Sequence, residues 1–393
     1  MRRTGPDPVH GTRRRAKMTV KIAHPALEPG RAGGLRTSNR LVVAPMTRVS
    51  AAPDGTPTPE MAEYYTEFAR GGFGLVITEG TYTDTVYSQG YLNQPGLVSE
   101  RHVAAWREAT AGVHEAGGSI VAQLMHAGAL SQGNPYRDDT AGPSAVVPQG
   151  VKMPEYGGHG PWTAPKEMSL DDIRQAVDGF VASAANAKRA GFDGVEVHAA
   201  NGYLLDQFLT DYTNLREDSY GGPVASRVRL AAEVVAAIRA EVGPDWSVGV
   251  RVSQTKVNDF RYRWPGGAHD AEVIFAALAE AGASYLHVAS EGRNWLESAR
   301  LDRGLTVTGL ARRVSGLPVI ANGGMHDPDL SAQVLADGHA DLVSVARGAL
   351  VHPDLPRRLA EGTPSERFDH AMLSPMVTLD NVRRWRLAAG ADA

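Results

Sequence analysis

Along the chain, short runs of β-branched and apolar residues alternate with longer stretches of helical periodicity. The pattern predicts strands at residues 41–44, 75–78, 119–124, 194–198, 247–252, 285–289, 318–321 and 341–345. Most of these runs are apolar without a break, as in parallel strands covered on both faces. Between them the clearest helices fall at 59–70, 100–116, 170–190, 225–242, 271–281 and 328–336. Several end at a glycine that can take positive φ: Gly71, Gly117, Gly191, Gly243, Gly282 and Gly338. Eight strand–helix units in succession predict an α/β fold, a (β/α)8 TIM barrel. An open doubly wound sheet usually carries G-x-G-x-x-G after its first strand, and none follows residues 41–44.

The expected domain plan follows. Residues 1–20 read as a disordered basic leader, with six basic residues, one acid (Asp7) and Met18 as a second start. The leader lacks the apolar stretch of a signal peptide. Residues 21–365 form the barrel, and 366–393 a C-terminal extension whose segment SPMVTLDNVRRWRL suggests a basic amphipathic helix. The longest insertion, 126–168, follows the third strand and is rich in Gly, Pro, Tyr and Trp. In a barrel it leaves the rim where chemistry sits, as a lid or a partner surface.

Composition narrows the function. The chain has 393 residues, 40 basic and 44 acidic, so its formal charge is −4. That balance argues against a nucleic-acid partner. No apolar run reaches the roughly 18 residues of a membrane span, and a cytoplasmic location is expected. There is no cysteine, which removes disulfides, thiolate nucleophiles and thiolate metal or cluster sites. His114, His126, His159, His269, His287 and His326 show no metal-ligand spacing, so no metal is expected. No G-x-S-x-G elbow is present. Lys256 could in principle form a Schiff base, as in a barrel lyase, with nothing else to support it. His287 reads as a core histidine and Glu196 as a structural ion-pair partner. Arg261 and Arg263 fall after the fifth strand without an assignable role.

The strongest chemical signal is His198-Ala-Ala-Asn201-Gly-Tyr203, where the fourth strand ends. An imidazole and a carboxamide can donate together to one oxygen gaining negative charge. A phenol, with an ordinary pKa of about 10, keeps its proton near neutrality and can act as a general acid.

The stretch GFDGVEVHAANGYLLDQFLTDYTNLREDSYGG (191–222) resembles the signature of the old yellow enzyme family, FMN-dependent ene-reductases on a (β/α)8 barrel. The resemblance continues at NRLVVAPMTR, EG, VAQLMHAG, SRVRL and ADLVSVARGALVHPDL, over about residues 25–360 in consistent order. It implies non-covalent FMN, NADPH or NADH as reductant, and a small enone or enal substrate. It further implies that His198 and Asn201 hold the substrate oxygen and that Tyr203 gives the proton. Ala44, Pro45, Met46 and Thr47 would flank the flavin with Gly80, Thr47 bonding O4. Gln123 would meet the pyrimidine ring, and Arg227 would stand beside N1 and O2. Gly323, Gly324, Ala346 and Arg347 would take the phosphate. Tyr91 and Met125 would line the substrate pocket. Met125 replaces a tryptophan common in the family, and Ala346 a glycine. The missing cysteine excludes the iron-cluster branch and the subgroup with cysteine at the Thr47 position.

The resemblance also leaves readings open: a biosynthetic dehydrogenase or oxidase acting on a larger metabolite, and a non-catalytic ligand-binding barrel. The physiological substrate, the nicotinamide preference and homo-oligomerisation are not decided by the sequence.

Overall fold

The structure, a computed structural model, describes residues 24–290, 295–363 and 366–389. The expected leader (1–20) therefore lies outside the described residues. Eight parallel strands close into a barrel: β1 (Leu41–Val43), β2 (Leu75–Ile77), β3 (Ser119–Met125), β4 (Gly194–Asn201), β5 (Ser247–Lys256), β6 (Tyr285–Ala289), β7 (Val319–Asn322) and β8 (Leu342–Val345). Each pairs with the next, and β8 returns to β1 through Val343↔Leu41. This is the expected (β/α)8 TIM barrel. The strands are buried almost throughout, which is why the sequence shows unbroken apolar runs.

Helices pack outside, several of them started by a side-chain cap. Thr58 and Ser99 cap Pro59–Arg70 and Glu100–Glu115, and Ser169 with Asp172 forms a capping box on Leu170–Arg189. The glycine signals hold at Gly117, Gly191, Gly243, Gly282 and Gly338, all at positive φ. Gly71 is the exception: its φ is −70°, and Gly72 takes the left-handed position at 101°. Gly71 instead has no room for a side chain, since a Cβ there would lie 1.9 Å from the Pro353 carbonyl oxygen.

Several elements differ from expectation, and these are among them. The helix expected at 225–242 divides at Val228 into Val224–Arg227 and Arg229–Val242. β5 runs on to Lys256 through a register shift after Val252. A helix not predicted, Val307–Ser315, joins β6 to β7; its Thr, Val and Gly content hides it, and Thr306 caps it.

A hairpin of Gly30–Ala32 and Leu35–Thr37 closes the barrel's N-terminal end. Ala32 and Leu35 pack there on Val42, Leu75, Val121, Ile320 and Leu342. At the other end the 126–168 insertion folds over the rim. Gln132 holds the Met153 backbone from both sides, with Nε2 donating to the carbonyl at 2.9 Å and Oε1 accepting from N–H at 3.0 Å. Val151 bridges Pro161, and the Glu155 carbonyl accepts from Val377 N–H at 3.1 Å. The C-terminal helix Leu379–Ala389 packs against the barrel, with Arg386 bonded to Glu67 at 2.9 Å. Among the described residues no helix is long and apolar enough to cross a membrane.

Candidate active site

A cavity of about 500 Å³ opens at the C-terminal ends of the strands. One wall comes from the segment after β1 (Ala44, Pro45, Met46, Thr47) with Gly80. Gln123, Met125, His198, Asn201 and Tyr203 stand on the β3–β4 side, and Gly323, Gly324, Ala346 and Arg347 on the β7–β8 side. The fold thus brings fourteen of the sixteen expected site residues to one cavity.

Local backbone geometry sets the β4 cluster. Asn201 adopts φ of 65°, a left-handed conformation that asparagine tolerates better than most residues, and Gly202 follows at 86°. This turn ends the strand, and Tyr203 begins the helix Leu204–Leu209. The rings of His198 and Tyr203 come to 5.0 Å between centroids. All three side chains are buried. His198 Nδ1 is buried with no hydrogen-bond partner among the described residues, an arrangement that a ligand oxygen would complete. Burial first, then the nearby Arg251 charge, pushes the His198 pKa down to about 3. The imidazole is therefore neutral at neutral pH and offers a single N–H.

Two expected residues lie elsewhere. Arg227 does not line the cavity: its Nε donates to the Leu209 carbonyl at 2.8 Å and its Nη1 to the Gly222 carbonyl at 2.7 Å. The short helix that carries it sits outside the barrel wall, so its guanidinium serves loop carbonyls. Arg251, on β5, lines the cavity instead. The available signal was an arginine interrupting the apolar run SVGVRV, where a buried charge needs a partner. Tyr91 stands behind the wall: its hydroxyl meets that of Tyr203, and its ring lies 4.9 Å from that of Tyr156. Tyr156, Met153 and Phe260 from the rim loops, with Leu373 and Val377, supply the apolar lining that the sequence did not reveal. Met125 lines the cavity against Gly80, where a Cβ would lie 2.4 Å from its sulfur. Ala346 has φ of −103°, a negative value that does not call for glycine.

The remaining candidates are structural. Lys256 is buried and paired with Asp206 at 2.5 Å, and does not line the cavity. Neither Arg261 nor Arg263 lines it. No group of His, Asp or Glu among the described residues could hold a metal.

The donor set suits a flat heterocycle with a polar edge and a phosphate tail. Gln123 and Arg251 face one side; Gly323 (φ 110°) and Gly324 (φ 78°) expose backbone beside Arg347 at the other. A Cβ at Gly323 would lie 2.6 Å from Ser290 Cβ, so only glycine fits this turn. A barrel with this mouth defines a flavin oxidoreductase. The sequence matches the model of the NADH:flavin oxidoreductase / NADH oxidase family over residues 27–366, and the chain belongs to that family, the old yellow enzymes. It is 34% identical over 357 residues to a putative 12-oxophytodienoate reductase 6 of Oryza sativa subsp. japonica, covering 89% of this chain and 87% of that protein. It is likewise 34% identical to an NADH oxidase of Thermoanaerobacter brockii, covering 86% of this chain but 51% of the longer relative. An old yellow enzyme homologue from Zymomonas mobilis superposes with a TM-score of 0.80 at 32% identity, over 91% of this chain and 98% of that one. Morphinone reductase in complex with tetrahydroNAD gives 0.78 at 31% identity, over 88% and 93%. The protein is an NAD(P)H-dependent flavin oxidoreductase, and FMN with a reduced nicotinamide are the cofactors expected in this family.

Proposed function

We propose that the protein reduces the C=C bond of α,β-unsaturated aldehydes and ketones. The observation that carries this reading is the buried His198 Nδ1, which has no hydrogen-bond partner among the described residues, beside Asn201 and Tyr203 at the end of β4. Bound FMN, held non-covalently by Thr47, Gln123, Arg251 and the Gly323–Gly324–Arg347 end, supplies two-electron chemistry between a reduced nicotinamide and the alkene.

The chain's own groups do the rest. His198 and Asn201 donate to the substrate's carbonyl oxygen, drawing electron density from the β-carbon and stabilising the enolate-like transition state. Removing one such donor costs about 10²–10³ in rate. The Tyr203 hydroxyl gives its proton to the α-carbon. Tyr91, in contact with Tyr203, holds that phenol in place. Met125, Met153, Tyr156 and Phe260 exclude water above the reacting carbons.

Anaerobic mixing with NADH or NADPH, then with cyclohex-2-enone, separates the two half-reactions. Tyr203→Phe is expected to slow alkene reduction by about 10²–10⁴ and leave flavin reduction unchanged. Equal loss in both halves would refute the proton-donor role. Purified protein that stays colourless with added FMN would refute flavin binding.

A further inference from the structure

The mechanism above makes no use of Glu196, a fully buried carboxylate two residues before His198 on β4. We propose that Glu196 is a positioning residue for the flavin's polar edge: it sets the amide orientation of Gln123 and, through His287, holds Arg251 beneath the cavity. This rests on FMN binding and is independent of alkene reduction.

The argument is a hydrogen-bond account. A carboxylate only accepts. Glu196 Oε1 accepts from Gln123 Nε2 at 2.9 Å, so the amide must turn its NH2 toward Glu196. Its carbonyl oxygen and second N–H are left for the cavity that Gln123 lines. Glu196 Oε2 accepts from His287 Nδ1 at 2.9 Å and from the Tyr285 hydroxyl at 3.2 Å. With its proton on Nδ1, His287 presents Nε2 as an acceptor. Arg251 Nη1 donates to that atom at 2.6 Å, and Ser344 Oγ lies 2.8 Å from it. One carboxylate thereby orders an amide, an imidazole and a guanidinium.

The fold makes room for it. Gly249 is directly opposite Tyr285 on β6, and a Cβ there would lie 2.0 Å from the tyrosine ring. Glycine in mid-strand is costly, and here it admits the ring whose hydroxyl reaches Glu196. Charge balance supports the same role. Burial pushes the Glu196 carboxyl up, and His287, Arg251 and Gln123 more than reverse this, so it stays ionised opposite Arg251.

Glu196→Gln tests the proposal in the full chain. It keeps the shape but sets an NH2 against donors, and removes the negative charge beside His287 and Arg251. The FMN dissociation constant, from fluorescence titration of the apoprotein, should rise about tenfold. The flavin midpoint potential should move positive. Tyr285→Phe removes a single bond to the same carboxylate and should leave the potential near wild type. A Glu196→Gln protein with wild-type FMN affinity and potential, and only a lower melting temperature, would overturn the proposal. Should that variant not fold, Glu196→Asp keeps the charge but draws it back from Gln123 and His287, and should likewise raise the FMN dissociation constant. A folded Glu196→Asp variant that binds FMN as tightly as wild type overturns the proposal as well. Failure to reduce cyclohexenone would leave both measurements standing.

Discussion

Two layers of one barrel, a single inward step apart along the strands, have opposite chemistry. The lower layer is apolar: Val121 on β3, Ile320 on β7 and Leu342 on β8, closed from below by Ala32 and Leu35. Two residues further along the same strands stand Gln123, Asn322 and Ser344, joined by Arg251 on β5 and His287 on β6. The period of two keeps each pair on the same face, so the change occurs with depth and not with direction. The lower layer holds strands together and needs no partners. The upper layer is polar and buried, so each group must be bonded to a neighbour or to a ligand. Stability is concentrated at one end of the barrel and chemistry at the other.

The largest test of that division is Arg251→Met. It leaves Glu196 buried without its cation, which should cost about 3–5 kcal/mol of stability. It should also weaken FMN about 100-fold through loss of charged hydrogen bonds, measured by denaturant unfolding and by flavin titration. Ile320→Ala, one layer below, should cost about 2–5 kcal/mol but keep FMN affinity within about twofold. If it weakened FMN as much as Arg251→Met, the two layers would not be separate in function.

A smaller effect is set by pH. Burial and Arg251 hold His287 down at about 4, and His198 down at about 3, against an unfolded value of 6.5. Their neutrality contributes stability that is complete above pH 6.5 and is lost as pH falls toward 4 and 3. Glu79, buried beside Gly80 where it accepts from the Tyr65 hydroxyl and the Arg48 N–H, acts in the opposite sense. Burial raises its carboxyl from 4.5 to about 7, so its contribution declines as pH rises through that interval. Melting temperature against pH should therefore steepen on the acid side in Glu79→Gln. An unchanged profile would remove Glu79 from the balance. The smallest effect is expected for Arg227→Ala, about 1 kcal/mol in stability with FMN affinity unchanged. A loss of FMN equal to that of Arg251→Met would restore Arg227 to the site.

Much of this was legible in the chain. Unbroken apolar runs located eight strands, because strands buried on both faces admit little else. The cluster His198, Asn201 and Tyr203 was visible because three polar groups close a strand that is otherwise GVEV. Glycine punctuation failed only at Gly71, where close packing on Pro353 and not φ demands glycine.

What the chain by itself determined was therefore the barrel, the strand end that supplies His198, Asn201 and Tyr203 to the cavity, and the family. That Arg251 and not Arg227 lines the cavity was shown by the folded structure. Arg227 sits on a short helix, whereas Arg251 sits on β5 with its side chain at the cavity. The partners of Glu196 were likewise invisible, since Gln123, Arg251 and His287 come from strands up to 91 residues away. Local periodicity records which face of an element is buried; charges pair through space, across strands that only barrel closure brings together.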